Sequence, residues 1–174
     1  MAERMVRVNG VDLCVEAFGD PRDPVVLLIQ GVGASMLWWD ERFCRSLAER
    51  GRRVIRYDAR DTGRSVVYEP GRPGYTGGDL VADAAGVLDA LGAERAQVIG
   101  VSAGGAFAQL LALEHPDRVD GLVLISTTAA VPLGRDLPPP TEEFVRFVSG
   151  FTIDWGDVAS VIDAQVAYAR LLAG

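Results

Sequence analysis

Val25-Val26-Leu27-Leu28-Ile29 is an unbroken apolar run rich in β-branched residues. A strand buried on both faces of a parallel sheet has this pattern, whereas a strand wetted on one face alternates. The pattern recurs at Arg53-Val54-Ile55-Arg56-Tyr57, at Ala96-Gln97-Val98-Ile99-Gly100-Val101 and at Gly121-Leu122-Val123-Leu124-Ile125-Ser126. Helical segments lie between these runs. Trp38 to Arg50 carries Trp39, Phe43, Leu47 and Ala48 at helical spacing and stops at Gly51. Thr76 to Leu91 opens on a capping Thr and places Leu80, Ala84, Val87, Leu88 and Leu91 on one stripe, and Ala103 to Glu114 is closed by Pro116. Strands alternating with helices imply an α/β protein with a mostly parallel sheet, right-handed crossovers and helices on both faces.

Ahead of the first buried run, Met5 to Val8 and Leu13 to Phe18 flank Asn9-Gly10, a dipeptide that favours a type I′ hairpin turn, so two antiparallel edge strands are expected. Beyond Ser126 the character changes. Pro138-Pro139-Pro140 stiffens a linker running from Pro132 to Pro140. Thr141 with Glu142 and Glu143 then starts a helix through Phe144, Phe147 and Val148, and a second helix is expected from Asp157 to Leu172. This divides the chain into an α/β core over residues 1–130 and a helical segment over residues 131–174.

Composition narrows the function. The formal net charge is −7, and the 17 basic residues are all Arg, scattered along the chain, which argues against a nucleic-acid partner. Cys14 and Cys44 sit in apolar surroundings, and residues 1–10 contain no apolar run, so a reduced, cytoplasmic protein without a membrane segment is expected. His115 is the only histidine and no cysteine pair has ligand spacing, so no metal is expected, and no cofactor either.

Gly100-Val101-Ser102-Ala103-Gly104 has the form G-x-S-x-G where a buried strand ends and a helix begins. In that context the serine occupies a strained turn that lifts its Oγ above the sheet edge, and the glycines let the strand and helix backbones pass closely. The alternative is a small-residue turn with an idle Ser102. Gln30-Gly31-Val32-Gly33 follows the first buried run. A backbone N–H from such a loop, together with that of the residue after the serine, can hold an oxyanion, which nominates Val32 and Ala103. Gly31, Gly33, Gly100 and Gly104 support the loops. Gly31-x-Gly33 with Asp58 also imitates a dinucleotide-binding fingerprint, but Met36 occupies the third glycine position and Ser102 would be left unexplained. In Arg56-Tyr57-Asp58-Ala59-Arg60-Asp61-Thr62-Gly63-Arg64-Ser65, the residues Asp58, Arg60 and Asp61 read as braces of a turn.

With these three elements in this order, the chain resembles the α/β-hydrolase superfamily over about residues 5–130. The Arg56 to Ser65 segment resembles the corresponding loop of aclacinomycin methylesterase-like esterases, and Glu114-His115-Pro116-Asp117-Arg118-Val119 also fits the superfamily. The resemblance implies Ser102 as nucleophile, Val32 and Ala103 as oxyanion donors, a small-molecule ester or acyl substrate, and the helical segment as the start of a cap or lid. It also implies an incomplete fold, with about six of the usual eight strands present. Gln30 stands where many members have His. The serine at the elbow argues against the epoxide hydrolases and haloalkane dehalogenases of the superfamily, which carry Asp there.

A serine hydroxyl needs a base, and the base needs an orienting acid. His115 lies thirteen residues after Ser102 on the same helix, hence about 20 Å away at 1.5 Å per residue, against a reach of about 3 Å. It reads as a helix-end residue. Asp136, Asp154 and Asp157 could approach the site, but acids without an imidazole complete no triad. The expectation is therefore a serine ester or acyl hydrolase whose histidine and acid lie outside this chain. The alternative is an inactive hydrolase-fold fragment or binding module that needs a partner chain. A sheet ending at Gly121 to Ser126 would expose an apolar edge open to self-association. Phe144, Phe147, Phe151 and Trp155 suggest an apolar or aromatic acyl group, and packing within the helical segment explains them equally well.

Overall fold

In the computed structural model, which describes residues 3–132, 138–150 and 152–173, one sheet organises the first part of the chain. Asp136 and Phe151 lie outside the described residues. The strands are β1 (Arg4–Val8), β2 (Val11–Phe18), β3 (Val25–Ile29), β4 (Arg53–Tyr57), β5 (Ala96–Val101) and β6 (Val119–Ile125), in the order β1-β2-β4-β3-β5-β6. β2 pairs antiparallel with β1 and β4, and β4, β3, β5 and β6 run parallel. Asn9 and Gly10, at φ 44° and 77°, make the turn that pairs Val8 with Val11. Only β1 of this hairpin is an edge. β2 was expected to be an edge as well, but its eight residues reach far enough for Val15–Phe18 to pair with β4.

Alternate residues of the central strands enter opposite layers. Leu27 and Ile29 pack with Ile55 and Tyr57 against α2 (Gly77–Ala90) and α3 (Ala103–Glu114), whereas Val26 and Leu28 pack with Val54 and Phe18 against α1 (Glu41–Ala48). Each buried aliphatic side chain contributes roughly 1.5–3 kcal/mol. With both faces covered, β3 is apolar throughout. α2 starts on a capping box, with the Thr76 hydroxyl accepting from the Asp79 N–H and the Asp79 carboxylate accepting from the Thr76 N–H.

The helix expected from Trp38 starts at Glu41 instead. Met36–Trp38 forms a 3-10 turn, and the Asp40 carboxylate caps α1 by accepting from the Arg42 N–H at 2.7 Å. Trp39 precedes the cap and is buried in the same cluster as Cys44, a staple that prolongs the apolar spacing beyond the helix itself.

Two ion pairs are buried in the sheet layers. Arg56 on β4 pairs with Glu16 at 2.6 Å. Arg60 holds Asp83 of α2 in a fork, with Nε and Nη2 donating at 2.7 and 2.8 Å. Asn9 joins the second pair, donating to Asp83 at 3.1 Å and accepting from Arg60 at 3.2 Å. Across the sheet, β6 is the opposite edge. Leu122, Val123, Leu124 and Ile125 are all exposed there, and among the described residues no strand pairs with its outer side.

Leu133–Gly174 forms a compact unit separate from Met1–Pro132. It contains α4 (Glu142–Gly150) and α5 (Val158–Ala173). The Thr141 hydroxyl accepts from the Phe144 N–H at 3.2 Å, and the Asp157 carboxylate accepts from the Ala159 and Ser160 N–H groups. Phe147 stacks on Tyr168. No helix among the described residues is long and apolar enough to cross a membrane.

Asp83→Ala would leave the Arg60 guanidinium buried without its counter-ion, and is expected to cost about 3–5 kcal/mol in urea unfolding. Cys14 and Cys44 are free and buried, and burial pushes both thiols up, Cys44 to about 11. In the native state near pH 8, neither is expected to react with Ellman's reagent, and both should react once the chain unfolds.

Candidate active site

β5 ends at Val101 and α3 begins at Ala103, so the chain reverses over a single residue, Ser102. Its φ of 53° and ψ of −122° are costly for any residue with a side chain, on the order of 1–3 kcal/mol. Backbone bonds hold it there. The Ser102 N–H donates to the Ile125 carbonyl at 2.9 Å, and its own carbonyl accepts from the Gly105 N–H at 3.0 Å. The side chain makes no capping bond and is exposed. Ala103 heads α3, where the first N–H groups have no intrahelical acceptor.

The glycines on either side are required by backbone crowding. A Cβ on Gly100 would run into the Gly104 carbonyl, and one on Gly104 would run into the Ile29 carbonyl and lie 2.5 Å from that of Gln30. β3, β5 and α3 therefore meet main chain to main chain. As a result the Gln30-Gly31-Val32-Gly33 loop passes beside Ser102, and a Cβ on Gly31 would stand 3.4 Å from the Ser102 Cβ.

The loop is a turn in which the Ala34 N–H donates to the Gly31 carbonyl at 3.3 Å, with Gly33 at φ 71° in the third position, as a type II turn requires. The Gln30 side chain accepts from the Gly31 N–H at 3.0 Å. The Val32 N–H finds no backbone acceptor among the described residues. At the far end of the loop, the Met36 N–H donates to the Asp58 carboxylate at 2.7 Å while Arg56 donates to the Met36 and Trp39 carbonyls. The second Asp58 oxygen accepts from the Arg64 N–H at 2.9 Å, and Asp61 accepts from the Tyr68 N–H at 2.6 Å. Asp58, Arg60 and Asp61 thus hold loops in place.

The remaining candidates are each held by local bonds. His115 ends α3, at the opposite end from Ser102, where its N–H donates to the Leu111 carbonyl at 2.8 Å. Asp154 accepts from the Gly156 N–H, and Asp157 caps α5. Among the described residues no cluster of His, Cys, Asp or Glu could hold a metal. Two features escape the sequence reading. Arg56 anchors the loop, and its charge in the middle of a buried strand was the available signal, because a buried guanidinium demands partners. The second is a cleft of about 210 Å³ beside Gly31 and Val32, which Tyr75, Leu80 and Phe107 reach from distant parts of the chain.

The family description "alpha/beta hydrolase fold" matches residues 24–157. Rhodomycin D methylesterase DauP of Streptomyces sp. (strain C5) is 35% identical over 188 residues, and rhodomycin D methylesterase DnrP of Streptomyces peucetius is 42% identical over 188 residues. Both alignments take in 100% of this chain and 63% of the relative, so the chain spans less than two thirds of their length. Among solved structures, epoxide hydrolase A from Mycobacterium thermoresistibile is similar with a TM-score of 0.68 and 32% identity, over 88% of this chain and 47% of that one.

Because a Cβ at Gly104 meets carbonyl oxygens that cannot move aside, Gly104→Ala is expected to cost about 3 kcal/mol. Gly33→Ala, strained but facing open space, should cost about 1 kcal/mol. Urea unfolding of the two variants checks the order.

Proposed function

As the chain belongs to the alpha/beta hydrolase fold family, we propose that it carries the nucleophile and oxyanion hole of a serine hydrolase acting on carboxylic esters or related acyl compounds. The observation that supports this most is Ser102, exposed in its strained turn against the Gly31–Val32 loop. In this reading Ser102 Oγ attacks the ester carbonyl carbon and its proton passes to an imidazole other than that of His115. The carbonyl oxygen, now an anion, accepts from the Val32 and Ala103 N–H groups. Removing one such donor typically costs about 2.7–4 kcal/mol of transition-state stabilisation. Collapse expels the alcohol and leaves an acyl-serine that water hydrolyses.

The names of the methylesterase relatives favour an ester substrate, and the chemistry favours it over an epoxide. A serine that opened an epoxide would be left as an ether, which water does not cleave, whereas an acyl-serine turns over. The second reading, a binding module or inactive fragment that needs a partner chain, is favoured by the position of His115. Residues 131–174 would act as a cap or lid segment. Two unpaired, buried thiols suit a cytoplasmic setting. β6, whose outer side pairs with no strand among the described residues and carries exposed apolar side chains, would associate with a strand of a second copy.

Labelling with a fluorophosphonate tests the assignment. Slow, stoichiometric labelling is expected, abolished by Ser102→Ala and unchanged by His115→Ala. Labelling that persists in Ser102→Ala would overturn the nucleophile, and loss of p-nitrophenyl acetate turnover in His115→Ala would overturn the claim that another imidazole is needed. In sedimentation velocity the chain should associate with rising concentration and Val123→Lys should weaken that association; a monomer at all concentrations would remove the edge-pairing proposal.

A further inference from the structure

The cleft beside the Gly31–Val32 turn has a chemistry of its own. Ile29, Tyr57, Leu80 and Phe107 give it an apolar wall, and Asp61 and Thr62 lie at its polar side. Among the described residues no unpaired cation lines it. The Arg60 guanidinium is neutralised by Asp83, and the Thr62 hydroxyl is spent on the Ala59 carbonyl at 2.8 Å. The Tyr75 hydroxyl bonds to the Asp61 side chain, and burial first, with that bond and the Asp61 charge, pushes it up to about 12, so it is an uncharged donor at neutral pH. Among the described lining residues, Asp61 alone leaves a net charge on the cleft, and its carboxylate repels anions.

Size adds a second constraint. A dry cavity of about 150 Å³ accepts benzene, while sites that enclose a whole drug-sized ligand run to roughly 300–1,000 Å³. About 210 Å³ therefore admits one ring with a short substituent. Ser102 is not on the wall, but Gly31 is, and Gly31 also packs against Ser102. We propose that this cleft is a subsite for one uncharged, single-ring apolar group of the ester, held with its carbonyl at Ser102 across the Gly31–Val32 backbone. The substrate class is thus a neutral ester with a phenyl-sized group on one side of its carbonyl. This rests on Ser102 as nucleophile for its place in the reaction, though not for the binding itself.

Binding can be read without turnover. Amide chemical shifts of the Ser102→Ala chain are followed during titration with methyl benzoate, phenyl acetate and benzoate. The two esters place the ring on the acyl or the alcohol side, and the one that binds tighter identifies which group the cleft takes. Saturable shifts are expected at Gly31, Val32, Gly33, Leu80 and Phe107, with Kd on the order of millimolar. Benzoate should bind at least about tenfold more weakly, and Leu80→Trp, which fills the cleft, should weaken the esters by a similar factor. Phe107→Ala, which enlarges it, should instead admit methyl 1-naphthoate. Shifts confined to other surfaces such as β6, equal binding of benzoate, or full affinity in Leu80→Trp would overturn the subsite. Fluorophosphonate labelling of the unsubstituted chain reports on Ser102 separately, so failure of the subsite and failure of the nucleophile give different results.

Discussion

The close approach of three backbones at Gly100 and Gly104 is the contact on which the rest of the site depends. Because Gly104 lies against the Ile29 and Gln30 carbonyls, the turn that carries Ser102 and the loop that carries Val32 cannot shift independently. The strain at Ser102 is sustained by bonds to β6 and to the first turn of α3. Other interactions act at one remove. Arg56 and Asp58 grip Met36 from its carbonyl and N–H sides, so the loop is fixed at its far end by groups from β4 just as it is fixed at its near end by crowding.

Most of the architecture was legible in the sequence, for a reason that also marks where legibility stops. Strands buried on both faces announce themselves as apolar runs, and Val25–Ile29 and Ala96–Val101 fall within the bounds read from them. The turn at Asn9-Gly10 and the cap at Thr76 are local chemistry and were equally readable. The start of α1 was not, because the staple residue Trp39 continues the helical spacing before the cap at Asp40. Nor was the internal position of β2, since strand order follows from pairing between distant segments. At the site, Ser102 and Ala103 lie in one short motif and Val32 in another, each nominated from a few neighbouring residues. Arg56 acts on a turn about twenty residues away, and the cleft draws on β3, β4, α2 and α3, so neither leaves a pattern in any short window.

Buried charge among the described residues gathers on β4, on the loop after it and on α2. Arg56, Asp58, Arg60 and Asp83 are all buried, and each meets a backbone group or a counter-ion from a different element. Buried pairs of this kind add little net stability over an apolar replacement. Their value here is geometric. A forked guanidinium accepts few alternative arrangements, and the loops they hold are the ones that form the wall of the cleft and the turn beside Ser102.

The Asn9, Arg60 and Asp83 cluster ties three distant segments together. It joins the tip of the first hairpin to a helix seventy-four positions later, across the loop that follows β4. A two-stranded hairpin at the end of a chain is ordinarily the first part to fray. This one is tied to β4 through β2, and lifting its tip would expose a buried guanidinium. The turn at Asn9 thus belongs structurally with α2 as much as with its own strands.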